Sequence, residues 1–263
     1  MMMNHVKCAL RKNFLYTNYI MDNTQFSVNQ KKQSKSHIKT DYSDHSVKLT
    51  FYITYVFLMT TATITFIEAI RTNDSKVRHI LNIETCISVV AAFFYSKFVS
   101  DIEEREKNDT PLDYKQIIIK RYSDWMITTP LMLLVLCLAF AYNSKTSVNF
   151  FTFVYILLLN FAMIITGFVG EIGYVQDLKS TNFIGFLFFA ALYGFIYYKF
   201  LYKKYNFDNV IIYLSFLILW AFYGVFYMFD HQFRNVGYNI LDLLAKCFVG
   251  IFFWAYFTKV FTL

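Results

Sequence analysis

This chain of 263 residues has only two prolines, four cysteines and few charged residues. Charged residues make up 16% of it, against roughly 25% in a typical soluble domain, whereas hydrophobic residues make up 57%. The cysteines show no Cys-X-X-Cys spacing and three lie in apolar runs, which argues against both a disulfide framework and a zinc site. We therefore expect the excess apolar surface to face lipid.

Seven runs of the sequence are long and apolar enough to cross a membrane, which takes roughly 20 mostly apolar residues. They cover residues 49–70, 80–100, 122–142, 148–170, 183–203, 208–229 and 236–261. The links between them are short, apart from a charged stretch at 101–116. The sequence predicts an all-α membrane protein, a bundle of seven transmembrane helices formed as one domain by residues 47–263.

Residues 1–46 are polar and rich in lysine, and they carry most of the net charge of +7. We interpret them as a basic N-terminal tail, either flexible or folded into a short interfacial helix. Such a charged segment is a surface feature and does not indicate nucleic-acid binding. Lys and Arg are divided almost evenly between the links on the two sides, so charge alone does not orient the bundle.

Ionisable residues inside the spans are the most informative feature. In the third span Arg121, Asp124 and Thr128 share one helical face, and in the last span Asp242 lies one turn before Lys246. A charge in the bilayer core is costly unless it is paired, so these residues should meet at one point. Either they form a structural salt bridge, or the lysine is covalently modified.

The stretch "RYSDWMITTPL", followed far downstream by "LDLLAK", resembles the third- and seventh-helix signatures of the microbial (type 1), bacteriorhodopsin-like rhodopsins. The resemblance covers about residues 47–262. It implies all-trans-retinal bound as a Schiff base to Lys246, with Asp124 and Asp242 as counter-ions. Asp124 would be the first proton acceptor, and Arg121 and Thr128 would complete the charged site.

The same resemblance implies a retinal pocket and a setting for the protein. The pocket would be formed by Trp125, Thr129, Met163, Gly167, Trp220 and Tyr223. The chain would be a multi-pass protein of the lipid bilayer with its N-terminus outside and its C-terminus in the cytoplasm. It would assemble with copies of itself, as a trimer or a pentamer.

Two departures from the family pattern bear on transport. Val135 and Asn160 stand where outward proton pumps of the family usually carry carboxylates, and Glu84 in the second span is the candidate substitute. Polar stripes follow the first two spans; their members are Thr54, Thr61, Thr65 and Glu68, then Glu84, Ser88 and Tyr95. Such residues either hydrogen-bond between helices as packing contacts or line a hydrated ion path.

Three functions follow from these observations. The stretch "RHILNIETCISVVAAFFYS" resembles rhodopsins of giant viruses, a group that includes light-gated cation channels, and with Val135 and the stripes it favours a cation channel. The intact set of Asp124, Thr128, Arg121 and Asp242, with Glu84 as the candidate proton donor, fits an outward proton pump. A photosensor that signals through a partner protein is the third alternative. An enzyme is not expected, because the links and the tail carry no nucleophile or metal-ligand constellation.

Overall fold

The structure is a computed structural model that describes residues 45–202 and 205–259. The predicted basic tail, residues 1–46, lies outside the described residues except for its last two positions. From Val47 onward the chain forms one compact unit.

Seven helices are long and apolar enough to cross a membrane within the described residues. They are α1 (His45–Arg71), α2 (Ser75–Lys107), α3 (Tyr114–Asn143), α4 (Phe150–Glu171), α5 (Leu178–Phe200), α6 (Phe207–Phe226) and α7 (His231–Phe257). The predicted all-α fold with seven membrane-spanning helices is confirmed, and the chain is an integral, multi-pass membrane protein.

Several predicted helix ends are wrong. The charged stretch at 101–116 is mostly helical, because α2 continues to Lys107 and α3 already begins at Tyr114. Likewise α7 begins at His231 instead of residue 236. Hydropathy detects only the apolar middle of a helix, whereas polar first and last turns can extend beyond the hydrocarbon layer.

Asp or Asn residues fix where six of the helices begin. Each precedes its helix and accepts a hydrogen bond from a backbone N–H of the first turn, which is the usual role of an N-cap. The caps are Asp74, Asp113, Asn149, Asp177, Asn206 and Asp230. At Asp177 the Ser180 hydroxyl, and next the Lys179 N–H, favour the carboxylate and hold its pKa below the ordinary value.

The bundle has two ends, which we name by the direction of the chain. The N-side is where α1, α3, α5 and α7 begin, and the C-side is where they finish. Lys48 of α1 forms an ion pair with Glu106 of α2 on the N-side. Tyr256 of α7 donates a hydrogen bond to Asp208 of α6 on the C-side, over 2.6 Å.

Helix α7 is not regular along its length. Residues Leu243–Phe248 form a π-helical stretch between the α-helical segments His231–Asp242 and Val249–Phe257. Such wider turns inside α-helices are frequently found at functional sites. Here the wider turn contains Lys246, the residue that the sequence singled out.

Candidate functional site: a buried lysine between two carboxylates

Lys246 lies in the interior of the bundle between the two predicted acids. Its Nζ is 2.6 Å from Oδ2 of Asp124 on α3 and 3.4 Å from Oδ2 of Asp242 on its own helix. The side chains of all three are at most 1% exposed. The structure therefore brings the two carboxylates and the amine together, although Asp124 and Lys246 are 122 residues apart in the chain.

Arg121 forms the next layer toward the N-side. Its guanidinium is 3.7 Å from Asp242 Oδ2, and its side chain is 2% exposed. It donates hydrogen bonds to the side-chain oxygens of Asn235 (3.1 Å) and Asn239 (2.8 Å) of α7. A buried guanidinium needs such partners, because each unpaired donor in a low-dielectric interior is costly.

The two carboxylates differ in how fully they are bonded. Asp242 accepts hydrogen bonds from the hydroxyls of Tyr95 (2.8 Å) and Tyr223 (2.6 Å) in addition to its charge contacts. Asp124 contacts Lys246 through Oδ2, while its Oδ1 has no hydrogen-bond partner among the described residues. Asp124 thus keeps a vacant lone pair beside the amine, whereas the oxygens of Asp242 are occupied.

Thr128 lies on the same face of α3 as Asp124, as predicted from the spacing. It is fully buried, and its hydroxyl donates to the backbone carbonyl of Asp124 over 2.9 Å. The hydroxyl thus bonds to the backbone of this residue and not to its carboxylate.

An apolar cavity opens from Lys246 and Asp242 into the bundle. Its empty volume is about 790 Å³, counting the space at its open side. All six residues predicted for the retinal pocket line it: Trp125, Thr129, Met163, Gly167, Trp220 and Tyr223. Tyr122, Phe186, Phe189 and Tyr238 add further aromatic wall.

These walls fit a long, apolar, conjugated molecule attached at the amine. Gly167 keeps one side of the cavity open, because a Cβ there would lie 2.9 Å from the Tyr122 hydroxyl oxygen. Asn160 donates from Nδ2 to the Thr129 hydroxyl over 2.9 Å, which ties α4 to α3 beside the cavity. The resemblance to the family also implies that Asn160 lies near Thr129, and the structure places the two side chains in contact.

The predicted ion-path residues lie mainly toward the C-side. Glu84 is 2% exposed, and its burial is not offset by an ion pair among the described residues. A Cβ added to Gly250 of α7 would be 3.2 Å from Glu84 Oε2, so the carboxyl group lies directly beside that helix. Ser88 is fully buried one turn further on, and Val135 belongs to an apolar cluster of α3 and its neighbours.

Glu68, the other carboxylate assigned to the path, is placed differently. It forms an ion pair with Arg71 over 3.5 Å and its side chain is 17% exposed, at the C-side end of α1. Thr65 lies three residues before Glu68 on α1, and Thr85 directly follows Glu84 on α2. The hydroxyl oxygens of these two threonines are 2.9 Å apart.

Sequence reasoning missed part of the N-side of the site. Arg234 falls in the link between the predicted runs 208–229 and 236–261, but in the structure it lies within α7 at 5% exposure and pairs with Glu171 of α4. Tyr238 donates a hydrogen bond to the same carboxylate. A signal was present: Arg234, Tyr238, Asp242 and Lys246 recur every fourth residue and so share one face of α7.

Fold and site together define a class: a seven-helix membrane protein with a buried, acid-paired lysine at the end of an apolar cavity. The sequence profile of the family described as "Bacteriorhodopsin-like protein" matches residues 46–260, and the chain belongs to this family. Members of the family bind a retinal chromophore and carry out light-driven ion transport; they are generally not enzymes.

Among solved structures, the viral rhodopsin OLPVRII is 50% identical to this chain, covering 82% of it and 99% of the rhodopsin, with a TM-score of 0.75. The blue light-absorbing proteorhodopsin from Med12 is 22% identical over 80% of this chain and 94% of its own, with a TM-score of 0.61. Acetabularia rhodopsin I is 18% identical over 82% and 95%, with a TM-score of 0.66. These last two show the shared fold alone.

A search of curated proteins gives no match. The resemblance to microbial rhodopsins is confirmed, and the similarity to OLPVRII supports the viral group.

Proposed function

We propose that this protein is a light-driven proton transporter that holds all-trans-retinal on Lys246, with Asp124 and Asp242 as counter-ions. When bound as a Schiff base, retinal supplies absorption of visible light and a change of double-bond geometry. The cavity that ends at Lys246 supports this assignment, because its aromatic and apolar walls suit a polyene and its one amine is buried between acids.

The contact between Lys246 Nζ and Asp124 Oδ2 carries the proposal. At 2.6 Å it is within hydrogen-bond reach, so a proton can pass from the nitrogen to this carboxylate without rearrangement of the bundle. Asp242 is the poorer acceptor, since Tyr95 and Tyr223 already donate to it. Asp124 therefore accepts the proton, and Arg121 and Asp242 balance the remaining charge.

Glu84 is the residue we assign to returning a proton to Lys246 from the C-side. It lies beside Gly250, one turn beyond Lys246 on α7, and its burial without an ion-pair partner among the described residues favours a neutral, proton-carrying acid. Because Asp124 is on the N-side of the same site, transport runs from the C-side to the N-side. It is outward if the N-terminus is outside, as we propose.

Cation conduction, the function that the sequence favoured, is the second candidate. Its support is a column of polar groups along α1, α2 and α7 that leads from Glu68 to the charged site. The column comprises Glu68, Thr65, Thr85, Thr61, Glu84 and Ser88 on the C-side and Tyr95, Asn239 and Thr54 on the N-side. Conduction requires this column to widen and take up water, whereas the first proton transfer, from Lys246 to Asp124, uses a contact already within hydrogen-bond distance, so we place proton transport first.

Photocurrents under voltage clamp test both candidates. For a proton pump we expect outward current at every membrane potential; for a cation channel we expect current that reverses sign with potential. Reversal at a potential set by the cation gradient would overturn the pump in favour of the channel. A coloured protein that gives no current in either direction would contradict both and favour a photosensor.

The remaining expectations concern the setting of the protein. We propose a homo-oligomer, a trimer or a pentamer, in the lipid bilayer, without nucleic-acid partners. Protons, or cations in the second candidate, are the transported species.

A further inference from the structure

A second buried ion pair lies in the N-side half of the bundle, and the proposed transport steps give it no role. Glu171, the last residue of α4, and Arg234 of α7 approach to 3.7 Å between Oε2 and Nη1. Their side chains are 1% and 6% exposed. Burying two charges is costly, so such a pair is weak evidence for stability and calls for another explanation.

Tyr238 connects this pair to the site at Lys246. Its hydroxyl donates to Glu171 Oε1 over 2.7 Å. The face of its ring lies 5.5 Å from the Arg121 guanidinium, and its centroid is 5.0 Å from that of Trp125, a wall of the cavity. One aromatic ring thus separates the two charged groups.

Within the described residues, the elements packed against Glu171 and Arg234 contribute mainly hydroxyls and rings, while His231, on the same helix as Arg234, is a further titratable group that interacts with it electrostatically. Tyr122 of α3 interacts with Glu171 through its hydroxyl, and the ring of Tyr227, the residue directly after α6, lies 5.6 Å from the Arg234 guanidinium. Thr181 of α5 hydrogen-bonds with the Tyr227 hydroxyl. Arg234 additionally donates to the backbone carbonyl of Phe229 over 2.7 Å.

The two groups form one balanced set of charges. Lys246, Arg121 and Arg234 oppose Asp124, Asp242 and Glu171, with no excess of either sign. Charges in a low-dielectric interior act on one another over longer distances than in water, because solvent screens them little. Removal of any one member must therefore be felt by the others.

We propose that Glu171 and Arg234 are positioning residues that set, through Tyr238 and Arg121, how readily Asp124 takes up a proton. This inference rests on the proposed function, in which Asp124 is the counter-ion of Lys246. The two residues contact neither the amine nor the carboxylate of the site. Their effect is electrostatic, and each should act with the sign of its own charge.

The test is an acid titration of the colour of the retinal-loaded protein, which changes when Asp124 is protonated. Asp124→Asn should lack this colour transition, which assigns the transition to protonation of Asp124. Glu171→Gln leaves the Arg234 charge in excess and favours ionised Asp124, so the midpoint should fall by about half a pH unit or more, roughly threefold in proton affinity. Arg234→Gln leaves the Glu171 charge in excess, so the midpoint should rise.

The double variant Glu171→Gln/Arg234→Gln removes both charges, and its midpoint should return close to that of the unaltered protein. Conservative exchanges, Glu171→Asp and Arg234→Lys, should leave the midpoint nearly unchanged. If the Gln variants do not fold, Glu171→Leu and Arg234→Met test the same signs with apolar side chains.

If the titration midpoint moves in the same direction in both single variants, or in neither, the proposal is overturned. Loosened packing alone would not move the midpoint in opposite directions according to the sign of the charge removed. A second readout needs no retinal: the melting temperature of the retinal-free protein should fall in each single variant and recover in the double variant. Failure of the unaltered protein to form a coloured pigment would instead contradict the proposed function, so the two failures are distinguishable.

Discussion

At the scale of single residues, the central question is how a membrane protein tolerates an amine at position 246. Lys246 is 2% exposed, and two carboxylates within 3.4 Å compensate its charge. Removing one partner of a buried pair typically costs about 3–5 kcal/mol, because the other charge is left uncompensated. The three side chains therefore form a unit, and substitutions should be chosen to keep the charge.

Lys246→Arg is such a substitution, since it keeps a positive charge between the acids but removes the primary amine. We expect the variant to form no pigment with retinal, because a guanidinium, unlike a primary amine, does not form a Schiff base with the retinal aldehyde. Absorption spectroscopy after addition of all-trans-retinal measures this. Lys199→Arg, the same exchange on α5 away from the cavity, is the control and should colour normally. A visible band in Lys246→Arg would contradict the attachment site.

Glu84→Gln tests the assigned proton donor while keeping the shape of the side chain. We expect the first proton transfer to Asp124 to be unchanged and recovery of the photocycle to slow by at least about tenfold, since positioned acids contribute that much or more. Time-resolved absorption measures both phases.

Glu68→Gln is the matched control for Glu84→Gln, because Glu68 lies at the C-side end of α1 and pairs with Arg71. In a proton pump it should change recovery little. If both Gln variants reduced a reversible current to a similar extent, the polar column would be a cation path. An unchanged photocycle in Glu84→Gln would remove this residue from transport altogether.

At the scale of elements, the site depends on close packing of α1, α2 and α7. A Cβ at Gly250 would lie 2.9 Å from Thr61 Cγ2 and 3.2 Å from Glu84 Oε2, so a larger residue forces these helices apart. The position explains how a carboxyl group on α2 can lie against the backbone of α7. Small residues such as glycine allow membrane helices to pack this closely.

Gly250→Ala should therefore destabilise the protein by about 1–3 kcal/mol, the usual cost of overpacking. Gly194→Ala is its control, because nothing lies within 4 Å of a Cβ at that position of α5. The control should be neutral or stabilising by up to about 1 kcal/mol, since alanine favours a helix more than glycine does. Thermal denaturation in detergent compares them; equal melting temperatures would contradict the packing argument.

At the scale of the whole molecule, two directions have to be assigned: that of the chain in the membrane and that of transport. The Lys246 site places Asp124 toward the N-side and Glu84 toward the C-side, so the two directions are linked. Charge in the links does not orient the bundle, because Lys and Arg are almost equally divided.

An epitope fused to the N-terminus should be accessible to antibody on intact cells, and one fused to the C-terminus should become accessible only after permeabilisation. Flow cytometry of the two fusions measures this, and a seven-span protein requires the termini to give opposite results. Accessibility of the C-terminal epitope alone would reverse the orientation and turn the proposed outward transport inward.

Much of the fold could be predicted from the sequence, because the cost of placing polar groups in hydrocarbon is a local property. Seven apolar runs each had to become a spanning helix, and a lysine with an aspartate one turn away had to lie inside. The helix ends were less accessible to hydropathy, although Asp113 and Asp230 mark two of the missed starts as N-caps.

The sequence by itself determined the number of spans, the buried lysine and its two acids. Only the tertiary structure decided which polar groups complete the site, because the partners are far apart in the chain. Thr54 reaches the carbonyl of Asn239 across 185 residues, and Glu171 accepts from Tyr238 across 67. No local pattern relates such positions; they meet because seven helices pack around one interior, where burial favours pairing of most polar groups.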